Sequence, residues 1–159
     1  MNRNATPQED LFLKLLKRFQ EEGAQCVLVG GQAVRLNGFV RATEDVDVLL
    51  KQGRINGEKV IRALSFLPSS AELDLSWFEP LADGEVEDIR VADDLLVDLL
   101  FAANGQTYES LAKHIVQIHI EGVEVWLLNI DGLLKTKTDY REKDILDKSV
   151  LTRLRDGIR

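Results

Sequence analysis

The stretch RATEDVDVLL, Arg41 to Leu50, decides how the chain is read. Val46, Val48, Leu49 and Leu50 have the composition of a buried strand, yet Asp45 and Asp47 stand two apart inside it. Alternate side chains of a strand point the same way, so the two carboxylates share one face, about 6–7 Å apart. Like charges set against a core repel one another and resist desolvation, so the pattern demands a reason.

A second stretch, LLVDLLF from Leu95 to Phe101, repeats the oddity: Asp98 stands alone among apolar neighbours. An ionised carboxylate in such a strand is costly unless it is paired, protonated or bound to a cation. If the two strands are neighbours, Asp45, Asp47 and Asp98 converge on one face. Three carboxylates with no Cys or His nearby make an oxygen site suited to Mg²⁺ or Mn²⁺. Two such ions can polarise the attacking and the leaving oxygen in phosphoryl or nucleotidyl transfer. The plainer readings are a solvent-facing Asp pair on an alternating strand and an Asp98 salt-bridged to an arginine.

Upstream, CVLVGGQAVRLNG places Gly30 and Gly31 between an apolar run and a helix start. Glycines there let the backbone approach a ligand closely, and a helix N-terminus offers free N–H groups to phosphate. No Gly-Lys-Ser/Thr follows, so this is no Walker loop, and the third glycine of the dinucleotide-binding fingerprint is missing.

The wider sequence sets the frame. Its 159 residues, 45% hydrophobic and 30% charged, fit a single domain, residues 1–159, with a core at about 25–128 and a helical segment at about 129–159. A net charge of −7 argues against extended nucleic-acid binding. The polar N-terminus, the absence of a membrane-length apolar run and the single Cys26 predict a cytoplasmic protein with no membrane partner and no internal disulfide. Cys26 reads as a packed hydrophobe, and two histidines with one cysteine cannot close a zinc site.

Periodicity predicts a helix over 7–22, with Thr6 as N-cap, Pro7 in the first turn and Gly23 as the stop. It predicts strands at 25–29 and 45–50, a short helix at 32–36 and a helix at 58–66. Further strands are expected at 73–78, 88–91 and 95–101, and a hairpin at 116–120 and 123–126 turning at Glu121-Gly122. The end, 130–154, reads as helix with a break near Asp139-Tyr140. This order gives an α/β (α+β) domain, a mixed sheet packed by helices. On one continuous tail helix, Lys137, Arg141, Asp144 and Lys148 would share a face at i, i+4, i+7 and i+11. Lys137 and Arg141 would then balance phosphates, with Lys135 a weaker candidate, and Asp144 would orient Arg141; a solvated, salt-bridged face is the plainer meaning. Trp77, Phe78 and Trp126 read as core or edge aromatics, and His114 and His119 as structural or surface residues.

The combination is rarer than its parts. Gly30-Gly31-x-Ala33, then Thr43-x-Asp45-Val46-Asp47, then Val97-Asp98-Leu99 resembles the polymerase-β-type nucleotidyltransferase superfamily. The Gly-Gly form and the tail LLKTKTDYREKDILDKSVL are similar to the small prokaryotic proteins related to AbiEii-type toxins. The resemblance implies a nucleotidyltransferase-like core that moves a nucleoside monophosphate from a nucleoside triphosphate to an acceptor: a protein hydroxyl, a tRNA end or a small molecule. It implies Mg²⁺ or Mn²⁺ on Asp45, Asp47 and Asp98, with Asp98 also acting as base. Gly30 and Gly31 would hold phosphates, and Arg41, Thr43, Lys137, Arg141 and Asp144 would serve the nucleotide. It also implies a toxin–antitoxin setting with a cognate antitoxin as partner. The alternative is a non-catalytic member of the same fold that binds a nucleotide or a protein.

Overall fold

Cys26–Val29 forms strand β1, buried at every residue, as a strand covered on both faces requires. The structure, a computed structural model, describes residues 10–38, 45–80 and 87–157. Strand β2, Asp45–Leu50, runs antiparallel to β1 with Leu28 opposite Val48. Strand β4, Leu96–Leu100, lies parallel to β2, and β3, Ile89–Ala92, closes that edge antiparallel to β4. On the other side β6, Val123–Leu128, pairs parallel with β1, and β5, Ile115–Ile120, pairs antiparallel with β6. The result is one mixed sheet in the order β3-β4-β2-β1-β6-β5. At the β5–β6 turn both Glu121 (φ 48°) and Gly122 (φ 81°) adopt positive φ, the backbone twist that a two-residue hairpin turn needs.

Among the described residues five α-helices accompany the sheet: α1 (Leu11–Glu22), α2 (Gly30–Leu36), α3 (Arg54–Ala63), α4 (Ile130–Thr136) and α5 (Glu142–Arg155). Leu15, Leu16 and Phe19 of α1 enter the core with Val46, Val48, Val97 and Leu99. The expected cap of α1 is corrected: Asp10, not Thr6, caps the helix, its carboxylate accepting from the Leu13 N–H at 3.0 Å. Thr6 and Pro7 lie outside the described residues. Gly23 ends α1 with φ 67°, as expected. Cys26 is packed and burial pushes its thiol up to about 12, in keeping with a structural role. No helix among the described residues is long and apolar enough to cross a membrane.

Two expectations fail for local reasons. Helix α3 starts at Arg54, four residues before the expected Glu58, because Asn56 and Gly57 are interior positions rather than a loop. The Asn56 amide accepts from Gln25 N–H at 2.7 Å and donates to the Gln25 and Lys51 carbonyls at 3.0 and 2.8 Å, tying α3 to the strand ends. The segment expected as a strand at 73–78 is instead a 3₁₀ turn, Leu75–Phe78, with the Asp74 carboxylate accepting from Ser76 N–H. It follows two others, Leu64–Phe66 and Pro68–Glu72. Their purpose is to deliver the buried Phe78, which meets Phe101 edge-on at 5.9 Å.

Gly57 sits under Phe78: a Cβ there would lie 2.7 Å from the Phe78 Cβ. Helix propensity alone favours Gly57→Ala by about 1 kcal/mol. Overpacking against Phe78 reverses the sign, and Gly57→Ala is expected to destabilise the fold by about 1–3 kcal/mol in urea unfolding.

Candidate functional site

The parallel register of β2 and β4 sets Asp47 directly beside Asp98, with Asp45 beside Leu96. Strand alternation therefore puts Asp45, Asp47 and Asp98 on one sheet face. Asp47 is strongly perturbed. Burial, then the charge of Asp98 and a hydrogen bond with it, push its pKa up to about 6, against some relief from Lys143. Asp88 is raised too, by burial and by Asp98.

Gly30 belongs to this cluster. It opens α2 at φ +64°, and a Cβ on it would lie 2.1 Å from Asp47 Oδ2. No other residue type fits that position, because the space a side chain would fill holds the carboxylate.

Arg90, opposite Asp98 on β3, reaches across β4. Its Nη2 lies 3.2 Å from Asp45 Oδ2 and its Nε 3.5 Å from Asp98 Oδ1. Among the described residues, no group of three His, Cys, Asp or Glu side chains is arranged to hold a metal ion as it stands. The donor chemistry does suit a hard cation: the three aspartates offer only carboxylate oxygens, and the Asp47–Asp98 pair is a like-charged contact that a divalent ion would relieve.

A cleft of about 550 Å³ opens over these residues. Gly30, Gly31, Asp45, Asp47 and Asp98 form one wall, and Lys137, Arg141 and Asp144 line the other. Eight of the ten site residues that the family resemblance implies thus meet in one cleft. The other two, Arg41 and Thr43, lie outside the described residues.

The second wall differs from the expected single helix face. Lys137 ends α4 and Arg141 precedes α5, so the segment 137–141 is a connection. Lys137 Nζ pairs with Asp147 at 3.1 Å, and both side chains are buried. Asp144 accepts from the Thr138 N–H and hydroxyl, each at 2.9 Å, rather than orienting Arg141 through a hydrogen bond. Burial pushes Asp144 up, but those bonds, with Lys137 and Arg141 nearby, outweigh it and leave the carboxyl below its ordinary value. Lys148 pairs with Asp139, and Lys135 is exposed and off the cleft. Asn104 donates to the Lys137 and Lys135 carbonyls at 3.0 and 3.2 Å, fixing the connection to the segment after β4.

Sequence reasoning missed Asp88, Arg90, Asn104, Tyr140 and Lys143. The signal for the first two was present: in DIRV, Asp88 and Arg90 alternate with Ile89 and Val91, which places them on one side of a strand. A second cleft, of about 540 Å³, lies between α1 and the sheet. Leu16, Phe19, Leu28 and Val48 line it and Glu124 is its one charged residue, so it carries no comparable chemistry.

No protein-family model matches the chain, and no curated protein matches it. Among solved structures it is similar to the crystal structure of "a putative nucleotidyltransferase" from Thermotoga maritima, at 13% identity. The match covers 92% of this chain and 86% of that one with a TM-score of 0.54. At that identity the likeness is one of fold: a mixed sheet with helices of the nucleotidyltransferase-like kind.

Asp47 ionises at about 6 in the folded chain and near 3.9 when unfolded. The native state therefore holds the extra proton between those values, and stability falls as pH rises through that window. Asp47→Asn removes a penalty on the order of 2–3 kcal/mol above about pH 7. Thermal melts in chelator should show the variant more stable than the parent near pH 7.5, with the gap closing near pH 4. A second expectation concerns the buried pair: Lys137→Ala strands Asp147 and should cost about 3–5 kcal/mol in chemical denaturation, with most of the loss recovered in Lys137→Met/Asp147→Leu.

Proposed function

We propose that the protein is a metal-dependent nucleotidyltransferase that moves a nucleoside monophosphate from a nucleoside triphosphate to an acceptor hydroxyl. The observation that carries this reading is the Asp47–Asp98 pair, side by side in register and packed against a glycine that opens a helix. The likeness in fold to a protein described as a nucleotidyltransferase, together with the motif resemblance, supports it.

Asp45, Asp47 and Asp98 are the residues that would hold Mg²⁺ or Mn²⁺. Such an ion, when bound, supplies neutralisation of the triphosphate charge and of the charge that grows as pyrophosphate leaves. The chain's own groups do the rest. Gly30 and Gly31 would hold phosphate oxygens through their backbone N–H groups at the start of α2. Arg141 and Lys143, exposed on the opposite wall, set positive charge over the cleft, a duty that Lys137 shares only through the Asp147 pair. Asp98 accepts the proton of the acceptor hydroxyl as its oxygen attacks the α-phosphorus and the bond to the bridging oxygen breaks. The tail motif extends the proposal to a toxin–antitoxin component; the acceptor is a protein hydroxyl, a tRNA end or a small molecule.

Thermal melts test the ligand half. Mg²⁺ with the preferred triphosphate at about 100 times its Kd should stabilise the chain by about 2.7 kcal/mol. Asp45→Asn should abolish the rise, and no shift with ATP, GTP, CTP or UTP would refute binding. Incubation with α-labelled triphosphate and cell extract tests transfer: label should appear in one extract component with the parent and not with Asp98→Asn.

A further inference from the structure

Arg90 contacts two of the three carboxylates, and nothing in the proposed reaction uses it. We propose that Arg90 is a resident counter-ion, which a divalent cation must displace from Asp45 and Asp98 before the cleft is loaded. The inference rests on the cation reading above and concerns how that site is filled.

Three observations carry it. The register sets Arg90 opposite Asp98, and its guanidinium spans β4 to reach Asp45, so it occupies oxygens of two residues that would ligate the ion. A divalent ion on those carboxylates would bring a double positive charge next to the single one of Arg90, and the two would repel across so short a distance. The grip is also of the kind that yields: one contact is 3.2 Å and the other 3.5 Å, and the Arg90 side chain is 54% exposed. Exposed pairs of that geometry are weak. Strand β3 is the edge of the sheet, so the side chain has solvent to move into. Asp88, two residues earlier and also on the cleft, offers a carboxylate to the released guanidinium.

Arg90 is thus a positioning residue. It offsets the acidic face while no cation is bound and sets a threshold for cation entry. A guanidinium that merely braced the sheet would leave cation affinity unchanged or weaken it on removal, which separates the two roles.

The test is a Mn²⁺ titration of the full chain followed by electron paramagnetic resonance, with circular-dichroism melts as a check on folding. Arg90→Gln should bind Mn²⁺ roughly three- to tenfold more tightly than the parent, with Arg90→Lys between them. Asp98→Asn should lose the binding in both backgrounds. Equal or weaker binding by Arg90→Gln overturns the counter-ion role and leaves the cation reading standing. Binding that survives Asp98→Asn places the ion elsewhere and overturns the role as well. Absence of stoichiometric Mn²⁺ binding by both the parent and Arg90→Gln removes the cation reading and this inference with it.

Discussion

Two carboxylates held side by side against a core are the constraint on which the rest of this molecule turns. Asp47 and Asp98 meet because β2 and β4 pair in parallel with those residues in register, and the register is fixed by the alternating apolar residues around them. A slip of one residue would turn Val46, Val48, Val97 and Leu99 out of the core, so the acidic contact cannot relax by sliding. The surroundings answer to it. Gly30 has no side chain because Asp47 fills that space. Arg90 meets Asp98 on the neighbouring strand and reaches past it to Asp45 on the next. Lys143, on a different helix, is near enough to draw the Asp47 pKa down against the other influences.

The opposite wall is built on other physics. Helix α5 buries Asp144, Asp147 and Leu151 while Ile145 and Leu146 are exposed, the reverse of an ordinary amphipathic helix. The inversion has a local cause. Asp147 faces Lys137, and Asp144 faces the Thr138 backbone and hydroxyl, so both carboxylates are spent on holding the 137–141 connection. Buried pairs of this kind add little net stability compared with apolar packing, because desolvation offsets the attraction. What they do here is fix the position of a non-helical segment, from which Arg141 and Tyr140 reach the cleft.

The sheet was legible in the sequence where apolar runs were short and bounded, as in CVLV, buried on both faces, and in DVDVLL and LLVDLLF, whose valines and leucines keep one face in the core. The carboxylates were legible because they broke a pattern that hydrophobicity would have kept. Reading failed where tertiary contacts overrode local signals. LDLSWF alternates like a strand but winds as a 3₁₀ turn, since its task is to seat Phe78 on Phe101. Asn56 and Gly57 look like a loop but lie inside a helix, one bonded to strand ends and the other beneath a ring. Lys137, Arg141 and Asp144 have helical spacing, yet the chain breaks among them; the spacing located the cleft's second wall while misjudging which side chain holds which. Arg90 escaped notice because the alternation in DIRV places it on a strand face without saying which residues of neighbouring strands it meets.

The bland account of the acidic residues, a solvated face on an alternating strand, fails on Asp47. A solvated carboxylate keeps its ordinary pKa, whereas burial and the Asp98 charge carry this one to about 6. A salt bridge to arginine accounts for part of the remainder, since Arg90 does reach Asp98, but at 3.5 Å and from an exposed position. Fold stability alone would favour an amide or an aliphatic residue at Asp47, for either would remove the repulsion without disturbing the strand. The chain has instead placed beside that carboxylate a glycine, the residue type that leaves Asp47 room to sit against the start of α2. The arrangement is unfavourable at neutral pH as it stands and a divalent cation would relieve it, which is the physical ground of the proposed cation site.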